Sequence, residues 1–297
     1  MKIRKHLLIV LVLSANAWGQ DDGLKIFISA DMEGVVGAVT GEQLRPGGFE
    51  YERFRGFMTA EVNAAIEAAR GAGVTEIVVA DSHGNGQNLL IERLPEDVTV
   101  VRSWPREFRM MGGIDDSFDG VIFLGYHAGT SNMGGVRAHT FSSANITSLK
   151  LNGIEMSEGS MNAAIAGHFG VPVIMVSGDD VAVAEVEAVI GDVEGAVVKR
   201  AMGFHSAETL TPEAAYEVIR THTAAAIDSI DDFEPYVLDT PIVMELSLKH
   251  YQPVELLGYL SNVERIDSHT IRYTGEDIRE VSDFLLFVTR YRIDLQP

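Results

Sequence analysis

The stretch Lys25-Ile26-Phe27-Ile28-Ser29-Ala30-Asp31 is a short apolar run ending in an acid, the pattern of a buried strand. Downstream of it, Met58, Val62, Ala65, Ile66 and Ala69 form one stripe of a helix from about Phe54 to Arg70, with Gly71 and Gly73 as stop signals. Glu76–Asp81 then repeats the opening pattern, an apolar run closed by an acid. Val98–Arg102, Gly120–Tyr126, Val171–Ser177 and Gly195–Lys199 read as further strands, with a helix from about Asp180 to Ile190. Strands alternating with helices predict an α/β sheet covered on both faces, while Thr140–Leu151 suggests local antiparallel pairing. From Thr211 the pattern shifts to longer helices at about 212–227 and 275–290 and strands at about 241–248 and 270–273. Thr211-Pro212 reads as an N-cap followed by proline at the first helical position. The expected organisation is an α/β portion at 21–230, a linker near Asp231–Pro235 and a C-terminal α+β portion at 231–297 packed on it.

Residues 1–20 stand apart. Lys2, Arg4 and Lys5 precede an apolar run from Leu7 to Leu13, and Ala15-Asn16-Ala17 offers small residues for cleavage, so this segment reads as a secretory signal peptide. The run is too short to span a bilayer, which needs about 20 residues, so the expectation is an exported chain, periplasmic or secreted, with no membrane anchor after processing. Removing those three cations from 23 leaves 20 Lys+Arg against 43 Asp+Glu, a net charge of about −23. Phosphate binding needs basic patches, so nucleic acid is not an expected partner. There is no cysteine, which excludes disulfides, thiol catalysis and thiolate metal ligands. Any metal must be held by His, Asp and Glu.

Those residue types gather at strand ends, where a doubly wound sheet presents loops to a ligand crevice. The first strand ends Asp31-Met32-Glu33-Gly34, whose i, i+2 spacing turns both carboxylates to one side of an extended chain. The second ends Asp81-Ser82-His83, and the Gly120–Tyr126 strand ends at His127. On a helix starting near Ser157, Glu158 lies on the apolar stripe of Met161, Ile165 and Phe169, as a ligand or as a helix-dipole partner. Two His and three carboxylates match the donor set for paired zinc or manganese ions roughly 3.5–4 Å apart. His139 follows the glycine-rich approach Gly134-Gly135-Val136-Arg137-Ala138 and is placed for acid, base, electrostatic or nucleophilic work beside metals. His168, His205, His222, His250 and His269 read as structural or surface residues. No nucleophile elbow, phosphate-binding loop or His-Glu-x-x-His helix is present, and Gly84-Asn85-Gly86 lacks the third glycine of a dinucleotide loop.

The segments Ser29–Gly34, Tyr51-Glu52-Arg53, Ala80-Asp81-Ser82-His83, Phe123–Ala128 and Val176–Asp180, in this order and spacing, resemble the DppA-like D-aminopeptidases. The similarity runs from about Leu24 to Arg290, and Asp-Met-Glu-Gly together with Leu-Gly-Tyr-His-Ala is its specific part. The resemblance implies that Asp31, Glu33, His83, His127 and Glu158 bind two zinc ions per subunit, with Asp31 as the bridge and His139 at the catalytic position. It also implies a three-layer α/β/α fold with a mostly parallel or mixed sheet. A ring-shaped homo-oligomer is implied too, with a decamer as the size considered. The expected activity is removal of an N-terminal amino acid, of D configuration, from short peptides. Two rival readings stand beside it: a metal-dependent amidase or phosphoesterase, and a noncatalytic periplasmic binding protein.

Overall fold

The computed structural model describes residues 23–292, so the leader read at 1–20 lies outside the described residues. The first half comprises β1 (Lys25–Ala30), α1 (Gly41–Leu44), α2 (Tyr51–Gly71), β2 (Glu76–Asp81), β3 (Thr99–Val101) and β4 (Gly120–Tyr126). A hairpin of β5 (Ile146–Leu151) and β6 (Ile154–Glu155) leads to α3 (Glu158–His168), β7 (Val173–Asp179), α4 (Asp180–Ile190), β8 (Glu194–Gly203), β9 (Ser206–Thr209) and α5 (Pro212–Asp228). The last segment holds β10 (Ile242–Leu248), α6 (Tyr251–Leu257), β11 (Val263–Arg265), β12 (Thr270–Gly275) and α7 (Ile278–Arg290).

The main sheet runs β3-β2-β1-β4-β7-β8-β9, parallel except for β9. Its strands are buried on both faces because alternate residues meet different layers. Ile26, Ile28, Ile122 and Leu124 pack with Met58, Val62 and Ile66 of α2 and Ile219 of α5. Phe27, Val121 and Phe123 face the other way, toward Met161 and Ile165 of α3 and Val186 of α4. The expected α/β architecture, with helices on both faces of a mostly parallel sheet, is borne out.

Local signals explain the helix starts. Ser157 and Ser160 form a reciprocal cap for α3, and the Asp179 carboxylate accepts from the backbone N–H groups of Val181 and Ala182 at the head of α4. Pro212 opens α5 as expected, although the Thr211 side chain makes no capping bond. The antiparallel pairing expected near residue 150 is real but wider than a hairpin: a second sheet, β11-β12-β10-β5-β6, joins 146–155 to 242–275. Its apolar face, with Leu149, Leu246 and Ile271, shares a core with α3 and α7. Wedged there, α3 is buried from Glu158 through Gly167, not along one stripe alone. Five short elements, α1, β6, β9, α6 and β11, were not expected; β9 is a polar edge strand, and α6 exposes Tyr251 and Leu256 and carries Pro253 in its first turn.

Strand order sets the position of the site. The chain moves outward from β1 to β2 and β3, then returns to place β4 on the other side of β1, which opens a crevice beyond the carboxyl ends of these strands. Ala30 pairs with Asp81 on one side and with Leu124 on the other, so the residues just after each strand emerge side by side. The loop after β1 is pressed against the end of β4. A Cβ on Gly34 would lie 2.0 Å from the Tyr126 carbonyl oxygen, and one on Gly125, where φ is +67°, would lie 2.4 Å from that of Asp31. Only glycine permits this approach.

Candidate metal centre

Asp31, Glu33, His83, His127, Glu158 and His139 all line one cavity of about 280 Å³ at the carboxyl edge of the sheet. The six residues that sequence reading singled out, scattered over 127 positions, are therefore neighbours in space. His83 Nδ1 lies 3.1 Å from Asp31 Oδ1 and 2.8 Å from Glu33 Oε2. His127 Nε2 lies 3.3 Å from Asp31 Oδ2 and 3.4 Å from Glu158 Oε1. His139 Nε2 stands 3.7 Å from the same Glu158 oxygen, and its ring stacks on that of His127 with centroids 4.1 Å apart. Two donor triads result, Asp31-Glu33-His83 and His127-His139-Glu158. Asp31 turns one carboxylate oxygen to each of two histidines.

Backbone carbonyls fix which nitrogen of each imidazole faces the cavity. A carbonyl oxygen only accepts, so the ring nitrogen bonded to it carries a proton, and the other is the one that a neutral ring offers to a metal. His83 Nε2–H donates to Leu44 O at 2.6 Å, His127 Nδ1–H to Ala128 O at 3.0 Å, and His139 Nδ1–H to Arg137 O at 2.8 Å. The second nitrogen of each ring therefore faces carboxylates, the orientation that a metal-ligating histidine takes from its outer partners.

Burial sets the direction at Asp31 alone, and neighbouring charges override it at the other four groups. It pushes the Asp31 carboxyl above its ordinary value, helped by the charge of Glu33 and opposed by hydrogen bonds from His127 and His83. Burial also acts to raise Glu33, but the adjacent His83 outweighs it and holds that carboxyl well below the usual range. Glu158 is likewise lowered, burial being overcome by His127. For His83 and His127 burial opposes the charged form, yet Glu33 and Glu158 respectively hold both well above the ordinary imidazole value.

These residues fit a metal. Asp31 Oδ2, Glu33 Oε2 and His127 Nε2 are buried without a well-formed hydrogen bond, and all three face the same cavity. Orphaned polar atoms are costly in a protein interior unless a cation binds them. An oxygen and nitrogen set without thiolates suits a hard or borderline divalent ion.

Supporting residues were harder to find in the sequence. The Lys199 ammonium, 2% exposed, donates to the carbonyls of Glu33, Val35 and Ala38 at 2.6, 3.1 and 2.7 Å and so clamps the loop that carries Glu33. Burial pushes Lys199 down to about 8, opposed by Asp179 and Glu61. A lysine closing the apolar run Ala196-Val197-Val198 was the signal for it. The backbone N–H of Phe141 donates to Glu158 Oε1 at 2.6 Å, and Arg109 stacks on the Phe141 ring. Thr289 and Arg290, from α7, complete the cavity wall.

A family profile described as D-aminopeptidase matches residues 24–287, nine-tenths of the chain. The chain belongs to the D-aminopeptidase family. A curated D-aminopeptidase of Bacillus subtilis (strain 168) is 32% identical over 267 residues, covering 90% of this chain and 97% of the relative. A solved structure, the zinc-dependent D-aminopeptidase DppA from Bacillus subtilis, described as a self-compartmentalizing protease, matches with a TM-score of 0.87 at 30% identity. That match covers 92% of this chain and 100% of the other. The resemblance read from the sequence is borne out, and with it the reading of this D-aminopeptidase family member as a metallo-aminopeptidase, a hydrolase of peptide bonds.

Proposed function

We propose that this chain removes the N-terminal D-amino acid from short peptides with two zinc ions held at the cavity just described. Asp31, Glu33 and His83 would hold one ion, His127 and Glu158 the other, with Asp31 shared. The observation carrying this reading is the division of Asp31, whose two carboxylate oxygens face separate donor sets at 3.1 and 3.3 Å. When bound, zinc supplies Lewis acidity toward the scissile carbonyl and brings a water near neutrality in pKa. The chain's own part is to bind, orient and move a proton. Its Asp31, Glu33 and Glu158 carboxylates would balance three of the four positive charges of the two ions, so that the peptide's N-terminus is received there as the free amine. His139, fixed by its bond to Arg137, would hold or deliver a proton at the leaving amine through Nε2, with nucleophilic attack by the same nitrogen as the alternative.

One observation favours a second assignment: His139 Nε2 is near enough to Glu158 and His127 to be a ligand itself. His139→Ala separates the two. As a proton-transfer residue it leaves two zinc ions per subunit while turnover collapses; as a ligand its loss removes metal as well. A panel of paired D- and L-alanyl peptides, with nitrophenyl phosphate as control, tests the reaction class. Hydrolysis of L-peptides alone would defeat the stereochemical proposal, and phosphatase activity alone would favour the phosphoesterase reading. The noncatalytic binding-protein reading is not favoured by family membership.

Export and assembly belong to the same proposal. The leader pattern at 1–20 supports a periplasmic or secreted enzyme, and no helix among the described residues is long and apolar enough to cross a membrane. Exposed Tyr251, Leu256, Tyr259 and Tyr291 offer apolar surface for a homo-oligomer, which we take to be a ring of up to ten subunits. Light scattering of the processed protein tests this; a monomer would refute it.

A further inference from the structure

Arg109 is a buried cation in the cavity wall with no task in the chemistry above. Its residue is 5% exposed, its Nη1–H donates to Thr289 Oγ1 at 2.8 Å, and its guanidinium lies 4.0 Å from the centroid of the Phe141 ring. Its Nε is buried without a hydrogen bond, and no carboxylate among the described residues comes within ion-pairing distance. Leaving a buried charge unpaired is costly. Arg106 next to it shows what a structurally committed arginine looks like. It donates to the carbonyls of Arg109 and Asp81 at 2.7 and 2.9 Å and stacks on Trp104. Arg109 spans no such set.

The backbone underlines its placement. Phe108 and Arg109 are consecutive left-handed residues, at φ of 54° and 56°, a conformation that non-glycine residues adopt at a cost of about 1–2 kcal/mol each. Arg290 joins the same wall, held by a long 3.4 Å bond to the Gly84 carbonyl and by the Trp104 ring, whose centroid lies 5.0 Å from its guanidinium. The cavity wall thus carries guanidinium groups as well as the three carboxylates of the cluster, in a chain of net charge −20. Its volume of about 280 Å³ is close to the low end of roughly 300–1,000 Å³ for small-molecule sites, which favours a short occupant.

We propose that Arg109, with Arg290 beside it in the wall, is a carboxylate-binding subsite that grips the free C-terminal carboxylate of a di- or tripeptide while its N-terminal amine lies at the Asp31-Glu158 cluster. The planar fork of arginine matches a carboxylate in two parallel hydrogen bonds. The subsite acts as a ruler: a peptide whose terminus cannot reach it, or is amidated, is a poor substrate. This inference rests on the peptidase reading of the cavity.

The zinc-loaded protein is assayed on D-Ala-Gly, on D-Ala-Gly amide, and on D-Ala-Glu amide, whose one carboxylate is its side chain. The expected kcat/KM for the free acid exceeds that of both amides by about tenfold to a hundredfold, the range for hydrogen bonds to a charged group. Arg109→Gln brings the acid-to-amide ratio close to one, Arg109→Lys keeps part of it, and zinc content with a thermal melt confirms that each variant is folded. Arg290→Gln lowers the ratio by a smaller factor and serves if both Arg109 variants fail to fold. Equal rates on acid and amide in the wild type overturn the proposal, as does a ratio that Arg109→Gln leaves intact. D-Ala-Glu amide matching the free acid also overturns it, because the carboxylate read would then be a side chain. Calorimetry with N-acetylglycine and N-acetylglycinamide, which lack a free amine, reads the subsite without turnover. Tighter binding of the acid supports it even if no D-peptide is cleaved, a result that would defeat the peptidase reading alone.

Discussion

Lys199→Met tests how the loop carrying Glu33 is held. The substitution keeps a long apolar stem but removes the ammonium that three carbonyls share, those of Glu33, Val35 and Ala38. A buried acceptor left without its donor costs about 1–3 kcal/mol, so the three together lose roughly 6 kcal/mol. Part of that is returned. Burial has pushed the ammonium from 10.5 to about 8, and relieving this desolvation recovers roughly 3 kcal/mol. The net expectation is a destabilisation of about 3 kcal/mol, with the loop residues 33–38 loosened and zinc held less tightly at the Asp31-Glu33-His83 triad. Urea unfolding at pH 7, with metal analysis after dialysis, measures both effects. A variant within about 1 kcal/mol of the wild type that keeps its full zinc complement would refute the clamp and show that Gly34 and Gly125 hold the loop unaided.

Three further expectations follow from the site. His139→Ala is expected to lower kcat by about 10²- to 10⁴-fold, the usual scale for a proton-transfer group, while metal analysis still finds two zinc ions per subunit. Asp31→Asn is expected to deplete both metal positions, whereas Glu158→Gln depletes one, and zinc stoichiometry separates these outcomes. The Glu61 carboxyl, 1% exposed and bonded to the Val36 N–H, is raised by burial from 4.5 to about 7, with Val36 and Lys199 acting against the shift. The folded state therefore binds this proton more tightly than the unfolded chain, so its contribution is full below about pH 4.5 and is lost as pH rises through 7. Glu61→Gln, which keeps the acceptor, is expected to remove roughly 3 kcal/mol of that pH dependence. A difference curve of unfolding free energy between pH 4.5 and 8 that stays flat would contradict it.

Much of the site was legible because it depends on local pattern. An acid or histidine that closes a strand of a parallel sheet must emerge at one edge, and adjacent strands then bring Asp31, His83 and His127 within reach of one another. Glu158 was legible as a carboxylate on an apolar helix face, and His139 as a histidine after a glycine-rich approach. Arg109 and Thr289 meet across 180 positions, and no periodicity announces such a pair. The second sheet was half legible for the same reason. β5 showed its antiparallel character, but its long partner β10 lies about 90 residues further on. The short elements β9, α6 and β11 are set by tertiary neighbours and carry too few residues for a periodic signal.

The cavity wall contributed by α7 has a bearing on biosynthesis. Thr289 and Arg290 are among the last of the described residues to leave the ribosome, and β10 and β12, on which α7 rests, are separated from β5 by some 90 to 130 positions. Contacts so distant along the chain form late, after the local hairpins and helices. A nascent polypeptide would already carry all six histidines and carboxylates of the cluster while one side of the pocket was still missing. Activity would then wait until synthesis had passed Arg290, so that a protease made only as far as Glu158 would be a poor one.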